Sequence, residues 1–149
     1  GILSIFSTRI KNGNEINIFE DGEESRDFIN VVDVAVGVIS ALENEKSNGK
    51  IINLGSGVGT TVNIITDILR NAYKSNSEIN VTGDFRLGDI AHNVADISKA
   101  KELLNFKVTV DLENGLTQFC NWVKDQEHDN SGYENSLREM ENTGMFFRK

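Results

Sequence analysis

Residues 15–35, EINIFEDGEESRDFINVVDVA, decide the fold class because they contain two predicted strands followed directly by a predicted helix. Residues 15–19 (EINIF) alternate polar and apolar side chains, which predicts a short half-buried strand. A turn is predicted at Asp21-Gly22, and residues 26–31 (RDFINV) form the second predicted strand. Asp33 is the predicted cap of the helix that follows. The apolar face predicted for that helix consists of Val34, Ala35, Val38, Ile39 and Leu42.

The rest of the chain continues the alternation of helices and short strands. Helices are predicted over residues 3–11, 63–72, 98–104, 112–123 and 133–140, and strands over residues 51–54 and 79–82. Without an internal repeat, the pattern predicts an α/β fold. We expect residues 1–126 to form one binding domain and residues 127–149 a polar tail that carries the last helix.

Composition excludes several classes of partner. The 149 residues carry a formal net charge of −8, which disfavours binding to nucleic acid or to an anionic membrane. No apolar run approaches the roughly 18 to 20 residues of a membrane span, and no signal-peptide pattern opens the chain. Cys120 is the single cysteine, so an internal disulfide is excluded and a cytoplasmic location is predicted. Because residue 1 is Gly, we expect the chain to be part of a longer polypeptide.

The glycine run Gly55-Ser56-Gly57-Val58-Gly59 lies between a strand signal and a helix signal, as a phosphate-binding loop would. Its spacing fails, because a GxGxxG fingerprint that begins at Gly55 needs glycine where Thr60 stands. A Walker A sequence is absent as well. We therefore interpret the run as a tight connection. Metal binding is also unsupported, because His92 and His128 are far apart and belong to no metal-binding motif.

Two segments place an arginine beside turn residues. They are residues 21–28 (DGEESRDF), which contain Arg26, and residues 85–89 (FRLGD), which contain Arg86 and Asp89. The forked donors of a guanidinium match two phosphate oxygens, and a carboxylate can accept from a pair of sugar hydroxyls. Two arginines and one carboxylate would suit a nucleoside diphosphate. The alternative is that these arginines form ordinary surface ion pairs in an acidic protein.

The order of the segments resembles the extended short-chain dehydrogenase/reductase family, and within it the NAD-dependent nucleotide-sugar epimerases and dehydratases. Five segments carry the resemblance over about residues 1–126. They are INIFEDGEESRDF (16–28), VVDVA (31–35), NLGSG (53–57), RLGD (86–89) with DISKA (96–100), and the stretch from Gly115-Leu116 to Trp122. The fold implied is the C-terminal part of a Rossmann-type enzyme.

The resemblance implies roles for six positions. Arg26 and Arg86 would contact the diphosphate from opposite sides, and Asp89 would meet the ribose hydroxyls. Ile18 and Phe19 would lie near the base, and Phe28 beside the phosphates. This chain departs from the family pattern at Leu87, where proline is frequent, and at Asn30, where Tyr or His is frequent.

The resemblance also implies what the chain lacks. The family carries a glycine-rich NAD loop and a Tyr-x-x-x-Lys pair, whose tyrosine acts as acid and base toward a sugar hydroxyl. Tyr73 and Tyr133 have Ser77 and Leu137 four residues on, so neither belongs to such a pair. We therefore expect no catalytic residue here, the NAD-binding catalytic half upstream of Gly1, no cofactor bound by this chain alone, and no turnover by it.

The function predicted is the substrate-binding portion of an NAD-dependent nucleotide-sugar epimerase or dehydratase that holds a UDP- or dTDP-sugar. Two alternatives stay open: a non-catalytic sugar-nucleotide-binding product of a truncated gene, and an unrelated protein-interaction module. Without an upstream half, residues 51–54 would present an unpaired edge, so self-association or swapping between copies is expected. The sequence favours an epimerase over a dehydratase but identifies neither sugar nor base.

Overall fold

The structure is a computed structural model, and it describes residues 1–126 and 131–149. Helices and short strands alternate along the chain, as the sequence predicts. The helices are α1 (Ile2–Lys11), α2 (Val31–Leu42), α3 (Val62–Tyr73), α4 (Ser98–Leu104), α5 (Leu112–Lys124) and α6 (Ser131–Asn142), with a 3-10 turn at Glu45–Ser47. The strands are β1 (Ile16–Ile18), β2 (Ser25–Asp27), β3 (Gly59–Thr61), β4 (Ile79–Val81), β5 (Phe85–Arg86), β6 (His92–Asn93) and β7 (Phe146–Phe147).

The chain divides into two compact units. The first unit comprises Gly1–Glu24, Thr61–Ala91 and Leu116–Lys149. Its centre is the parallel pair β1 and β4, in which Ile16 lies opposite Ile79. Helix α1 packs against α3, and strand β5 pairs with β7 in antiparallel fashion. The buried core of this unit consists of Phe6, Ile10, Ile16, Ile18, Ile65, Leu69, Leu116, Cys120, Val123, Leu137 and Phe146.

The second unit comprises Ser25–Thr60 and His92–Gly115. Strand β2 lies in the middle of a three-stranded sheet in the order β3, β2, β6, and Arg26 of β2 lies opposite Asn93 of the parallel strand β6. Its core is small and gathers around Ile97, Ala100 and Phe106. Ile52 and Leu54 pack against that core.

Most of the predicted elements are confirmed, including the helix in the tail. The strand predicted over residues 26–31 ends at Asp27, however, and residues 51–54 are not a strand. No strand among the described residues pairs with this segment, so its apolar run lacks the hydrogen-bonding neighbour that a strand needs. Its side chains still alternate, with Ile52 and Leu54 half-buried and Ile51 and Asn53 exposed. The prediction for Asp33 was also wrong. Helix α2 begins at Val31, and its cap is Asn30, whose side chain accepts from the Val32 amide at 2.9 Å.

The predicted inward face of α2 is exposed in the structure. Val38, Ile39 and Leu42 are 47%, 54% and 82% exposed, whereas the buried residues of the helix are Asp33 and Gly37. Gly37 lies so close to Leu54 and Phe106 that a Cβ there would come within 2.7 Å of the leucine side chain. Since α2 carries apolar residues on nearly every side, periodicity could not indicate which side packs inward.

No helix among the described residues is long and apolar enough to span a bilayer.

Candidate functional site

The six predicted site residues fall in both units. Ile18, Phe19, Arg86 and Asp89 lie in the first unit, and Arg26 and Phe28 lie in the second.

In the second unit, Arg26 lines a cavity of 570 Å³ at the carboxyl-terminal end of β2. The arginine is half-buried, and its Nη1 donates to the carbonyl oxygen of Ser25 at 2.8 Å. Asn53, Asn93 and Asp96 line the same cavity, and the Asn53 side-chain amide donates to the Asp96 carbonyl oxygen at 3.4 Å. The lining thus combines one guanidinium with two amides, which are groups that donate to anionic or hydroxyl oxygens. Sequence analysis found Arg26 but missed both asparagines, although Asn53 opens the NLGSG segment.

The carboxylate of Asp27, the neighbour of Arg26, is hydrogen-bonded to other groups of the protein. Its carboxylate accepts from the Ser56 amide at 2.7 Å, the Ser56 hydroxyl at 2.6 Å, the Gly57 amide at 2.9 Å and the Ala95 amide at 3.2 Å. Burial alone would raise the pKa of the Asp27 carboxyl, but these donors outweigh burial and lower the pKa below its ordinary value. Asp27 is therefore an ionised anchor for the glycine run.

Two glycines of that run could not be replaced without strain while the run surrounds the Asp27 carboxylate. A Cβ on Gly55 would lie 2.6 Å from the Asp27 carboxylate and 2.6 Å from the Ala95 side chain. Gly57 has a φ of +74°, which a side chain would strain. The spacing of the run is thus explained by packing around a carboxylate, in line with its interpretation as a tight connection.

Asp33 is a second internal acceptor that sequence analysis placed wrongly. It is 1% exposed, and it accepts from the Thr109 amide at 3.1 Å, the Thr109 hydroxyl at 2.5 Å and the Val110 amide at 3.2 Å. Burial would raise the pKa of Asp33, and these donors lower it below its ordinary value. The aspartate of the VVDVA segment therefore ties α2 to the loop before α5.

In the first unit, the Arg86 guanidinium lies over the Phe19 ring, with 5.2 Å between Cζ and the ring centroid. This distance allows a cation–π attraction. The Nε atom of Arg86 is buried and has no hydrogen-bond partner among the described residues. Phe19 also contacts Phe146, with ring centroids 5.1 Å apart. Phe19, which the resemblance assigns to the base, is thus in contact with the arginine that the resemblance assigns to the diphosphate.

Asp89 closes the turn that follows Arg86. Its amide donates to the Arg86 carbonyl oxygen at 3.3 Å, and its own carboxylate accepts from the Ile90 amide at 2.9 Å. Gly88 has a φ of +80°, with open space where a side chain would point. The turn therefore presents Asp89 on the surface three residues after Arg86.

Ile18 and Phe28 differ in accessibility. Ile18 is 1% exposed, so its side chain belongs to the core, and its carbonyl oxygen accepts from the Thr82 amide at 2.9 Å. Phe28 is half-buried and directly follows β2. The ligand roles of both residues stay predictions. His128 lies outside the described residues, and no cluster of three or more potential metal ligands occurs within them.

Comparison with known proteins gives a consistent result. Residues 1–55 match the model of the NAD dependent epimerase/dehydratase family. Over 123 residues the chain is 31% identical to the dTDP-L-rhamnose 4-epimerase of Burkholderia thailandensis, and the match covers 83% of this chain and 34% of that protein.

Two solved structures extend the comparison. The structure of the UDP-glucose 4-epimerase of Thermotoga maritima with UDP-glucose is 32% identical with a TM-score of 0.74, over 83% of this chain and 39% of that one. The UDP-glucuronic acid 4-epimerase of Bacillus cereus in complex with UDP-glucuronic acid and NAD is 28% identical with a TM-score of 0.74, over 83% and 40%. The chain thus has the α/β fold of Rossmann-type epimerases, and it spans about a third to two fifths of the length of these relatives.

Proposed function

We propose that this chain, which is related to the nucleotide-sugar epimerases and dehydratases of the extended short-chain dehydrogenase/reductase family and corresponds to their C-terminal part, forms the substrate-binding portion of such an enzyme. Its ligand is the nucleoside diphosphate of a UDP- or dTDP-sugar. The relatives named above include a dTDP-sugar epimerase and epimerases solved with UDP-sugars, which supports this class of ligand.

The observation that carries the proposal is the cavity beside Arg26. The guanidinium lines it together with the amides of Asn53 and Asn93, so its wall carries N–H donors of the kind that phosphate oxygens require. Its neighbour Asp27 directs its carboxylate to Ser56, Gly57 and Ala95. The Asp27 carboxylate therefore has internal donors that balance its charge, which reduces its repulsion of a phosphate. Asp96, which lines the same cavity, accepts from the Ser98 amide and hydroxyl.

The turn at Arg86 supplies the remaining polar groups. Arg86 contributes a second guanidinium toward the diphosphate, and Asp89 accepts from the ribose hydroxyls. The hydrogen-bonded turn keeps Arg86 and Asp89 close together, so that the two side chains can contact neighbouring parts of one nucleotide. Holding the nucleotide in this way would orient the sugar for hydride transfer in an intact enzyme, where NAD supplies that chemistry.

The glycine run of this chain does not fit NAD. In a dinucleotide-binding loop, backbone N–H groups point at the pyrophosphate. Here the Ser56 and Gly57 amides donate instead to the Asp27 carboxylate. A pyrophosphate at this place would meet the half-buried negative charge of Asp27. NAD binding in an intact enzyme must therefore depend on other residues, and we assign none of it to this run.

The proposal is tested by calorimetric titration of the chain with UDP, dTDP and UDP-glucose. We expect binding, and we expect Arg26→Ala and Arg86→Ala each to weaken it by about 1.5 to 3 kcal/mol, or roughly tenfold to a hundredfold. The matched control is Arg70→Ala, which removes an arginine whose described ion pair joins it to Asp67 on the surface of α3. The preferred base would identify the substrate class. Binding that neither substitution weakens, or no binding by the folded chain, would refute the assignment.

The chain itself is proposed to be inactive. Its tyrosines Tyr73 and Tyr133 lack the lysine partner of the Tyr-x-x-x-Lys pair, so no acid–base pair of that kind is available. We expect no interconversion of UDP-glucose and UDP-galactose in the presence of NAD, measured by coupled oxidation of the product. Turnover by the purified chain would contradict this part of the proposal.

We also propose that the chain associates with a protein surface through α2 and the segment after it. The exposed apolar residues of this surface include Val32, Val36, Ile39, Leu42 and Ile51. So many exposed apolar side chains on one helix and the segment after it are unusual for a surface that stays in water. Sedimentation velocity should show self-association, and Leu42→Glu should reduce it. A monomer at high concentration would exclude a second copy as the partner. The cytoplasmic location stays a prediction from the sequence.

A further inference from the structure

The C-terminal strand β7 lies along the strand that carries Arg86. Arg86 is the register partner of Phe146, and Phe85 is the partner of Phe147. The pairing continues beyond the strands, because the Leu87 amide donates to the Met145 carbonyl oxygen at 3.0 Å. At the other end, the Lys149 amide donates to the Asp84 carboxylate at 3.0 Å. The segment from Met145 to Lys149 is thus fixed on both sides of Arg86.

Phe146 connects this strand to the guanidinium through Phe19. Phe146 is 4% exposed, and its ring centroid lies 5.1 Å from that of Phe19, at an interplanar angle of 51°. Arg86 lies over the same Phe19 ring. Because Arg86 Nε has no hydrogen-bond partner among the described residues, no acceptor fixes the guanidinium through this atom. The described contact that bears on its orientation is the Phe19 ring beneath it.

The turn after Arg86 contributes to the pairing with β7. Residues 86–89 form a turn with Gly88 at a φ of +80°, which accepts proline at the position of Leu87. Proline at position 87 has no N–H and could not donate to Met145. Leucine at position 87 supplies the donor that ties β7 to the turn.

We propose that β7 positions the diphosphate-binding arginine, with Phe146 as the positioning residue that acts on Arg86 through Phe19. This inference rests on the proposed function. A guanidinium binds two phosphate oxygens at once only when its plane is correctly oriented, so a ring that fixes the plane raises affinity without touching the ligand.

The test compares Phe146→Ala with Phe147→Ala in the full chain, with UDP as the probe. Both substitutions remove a phenyl ring from the same strand, but Phe147 stacks on Phe85 at 5.1 Å and has no described ring contact with Phe19. We expect Phe146→Ala to weaken UDP binding about fivefold to tenfold and Phe147→Ala to weaken it less than about twofold. In an Arg86→Ala background, Phe146→Ala should cause no further loss, because the two act through one group.

A second readout follows Arg86 directly. The Nε–H resonance of Arg86, identified by its loss in Arg86→Lys, should shift and exchange faster with water in Phe146→Ala but not in Phe147→Ala. Leu87→Pro provides a variant with an intact core. It keeps the turn, removes the bond to Met145, and should also speed that exchange.

The outcomes separate the two proposals. If UDP binds and Arg86→Ala weakens it, but Phe146→Ala and Phe147→Ala behave alike, the positioning role is refuted while the proposed function stands. If the wild-type chain does not bind UDP, the proposed function fails. The Nε–H exchange then still decides whether Phe146 fixes Arg86, and unchanged exchange in Phe146→Ala overturns the inference.

Discussion

The two units of the chain hold their key polar groups in opposite ways. In the second unit, the Asp27 and Asp33 carboxylates accept from backbone and hydroxyl donors of other segments. In the first unit, the Arg86 guanidinium rests on the Phe19 ring, and its Nε has no described partner. A polar group saturated by the protein stabilises the fold, whereas one fixed by apolar contacts keeps donors for a ligand. Arg26 and Asp27 are neighbours in one motif, yet Asp27 stabilises the fold and Arg26 is proposed to bind the ligand.

The two units also differ in how the protein shifts the pKa of their carboxyl groups. The described aspartates with a lowered pKa, Asp27, Asp33, Asp96 and Asp111, all lie in the second unit. In the first unit, burial raises the pKa of the Glu24 carboxyl, and the neighbouring Glu20 raises it further. The second unit thus contains ionised carboxylates that donors within the protein stabilise, chiefly Asp27 and Asp33.

The largest expected effect is a selective loss of the second unit in acid. A carboxyl whose folded pKa is lowered stabilises the fold fully above its unfolded pKa of about 3.9 and loses this contribution as pH falls through the folded value. For Glu24, with a raised pKa, the sign is reversed, so acid favours the folded first unit there. Hydrogen-exchange protection factors, corrected for intrinsic rates, should fall first in residues 25–60 and 92–115 between pH 5 and pH 3.

The acid prediction has an internal control. Asp33→Asn removes one titrating group and should flatten the pH dependence of the second unit below pH 4, even though it lowers stability at pH 7. An equal loss of protection in both units, or an earlier loss in residues 1–24, would show that the anchored carboxylates do not govern acid unfolding.

The next effect in size is that of Asp33→Ala at neutral pH. The substitution leaves the Thr109 amide and hydroxyl and the Val110 amide without their acceptor, in a site that is 1% exposed. We expect the free energy of unfolding to fall by about 3 kcal/mol, measured by urea denaturation.

Asp89→Ala supplies the contrast for Asp33→Ala. Asp89 is exposed and lies in the proposed ligand group, so its removal should change stability by less than about 0.5 kcal/mol while weakening nucleotide binding. If both substitutions destabilise the chain equally, the division between anchoring and ligand-binding carboxylates is wrong.

Gly55→Ala tests the Asp27 anchor by changing a residue of the glycine run that packs against it. The new Cβ would meet the Asp27 carboxylate and the Ala95 side chain, each at 2.6 Å, so one of the three must move. We expect a loss of about 1 to 3 kcal/mol in the free energy of unfolding, since overpacking of a fixed site costs that much. Asp27→Asn combined with Gly55→Ala should lose less than the sum of the single effects, because both act on one contact.

These contrasts show where sequence reasoning succeeds. The site roles of Arg26, Arg86 and Asp89, which rest on motif spacing and resemblance, stay predictions. The alternation of helices and strands was also predicted, because periodicity is local and the α/β fold follows from it. The cap at Asp33 was wrong because its partners Thr109 and Val110 lie far along the chain and leave no local signal.

Two other features depended on information that the sequence does not carry locally. The strand predicted over residues 51–54 rested on an apolar run, but a strand needs a neighbour, and none of the described strands pairs there. The inward face of α2 could not be chosen because apolar residues surround the helix, and the close approach at Gly37 decides which side packs. Phe146 was missed because its position opposite Arg86 appears only once β5 and β7 pair.

The smallest expected effect is a gain in stability, whereas Gly55→Ala is expected to cause a loss. Gly132 lies in the first turn of α6, its φ is not in the left-handed region, and a Cβ there would meet nothing within 4 Å. Alanine loses less conformational freedom than glycine when a helix forms, so Gly132→Ala should stabilise α6 by about 0.5 kcal/mol. A higher urea midpoint, or slower exchange of the α6 amides, would register the gain. If Gly132→Ala destabilises the chain instead, this surface of α6 is packed against a neighbour, and the contrast between a required glycine and a tolerant one fails at this position.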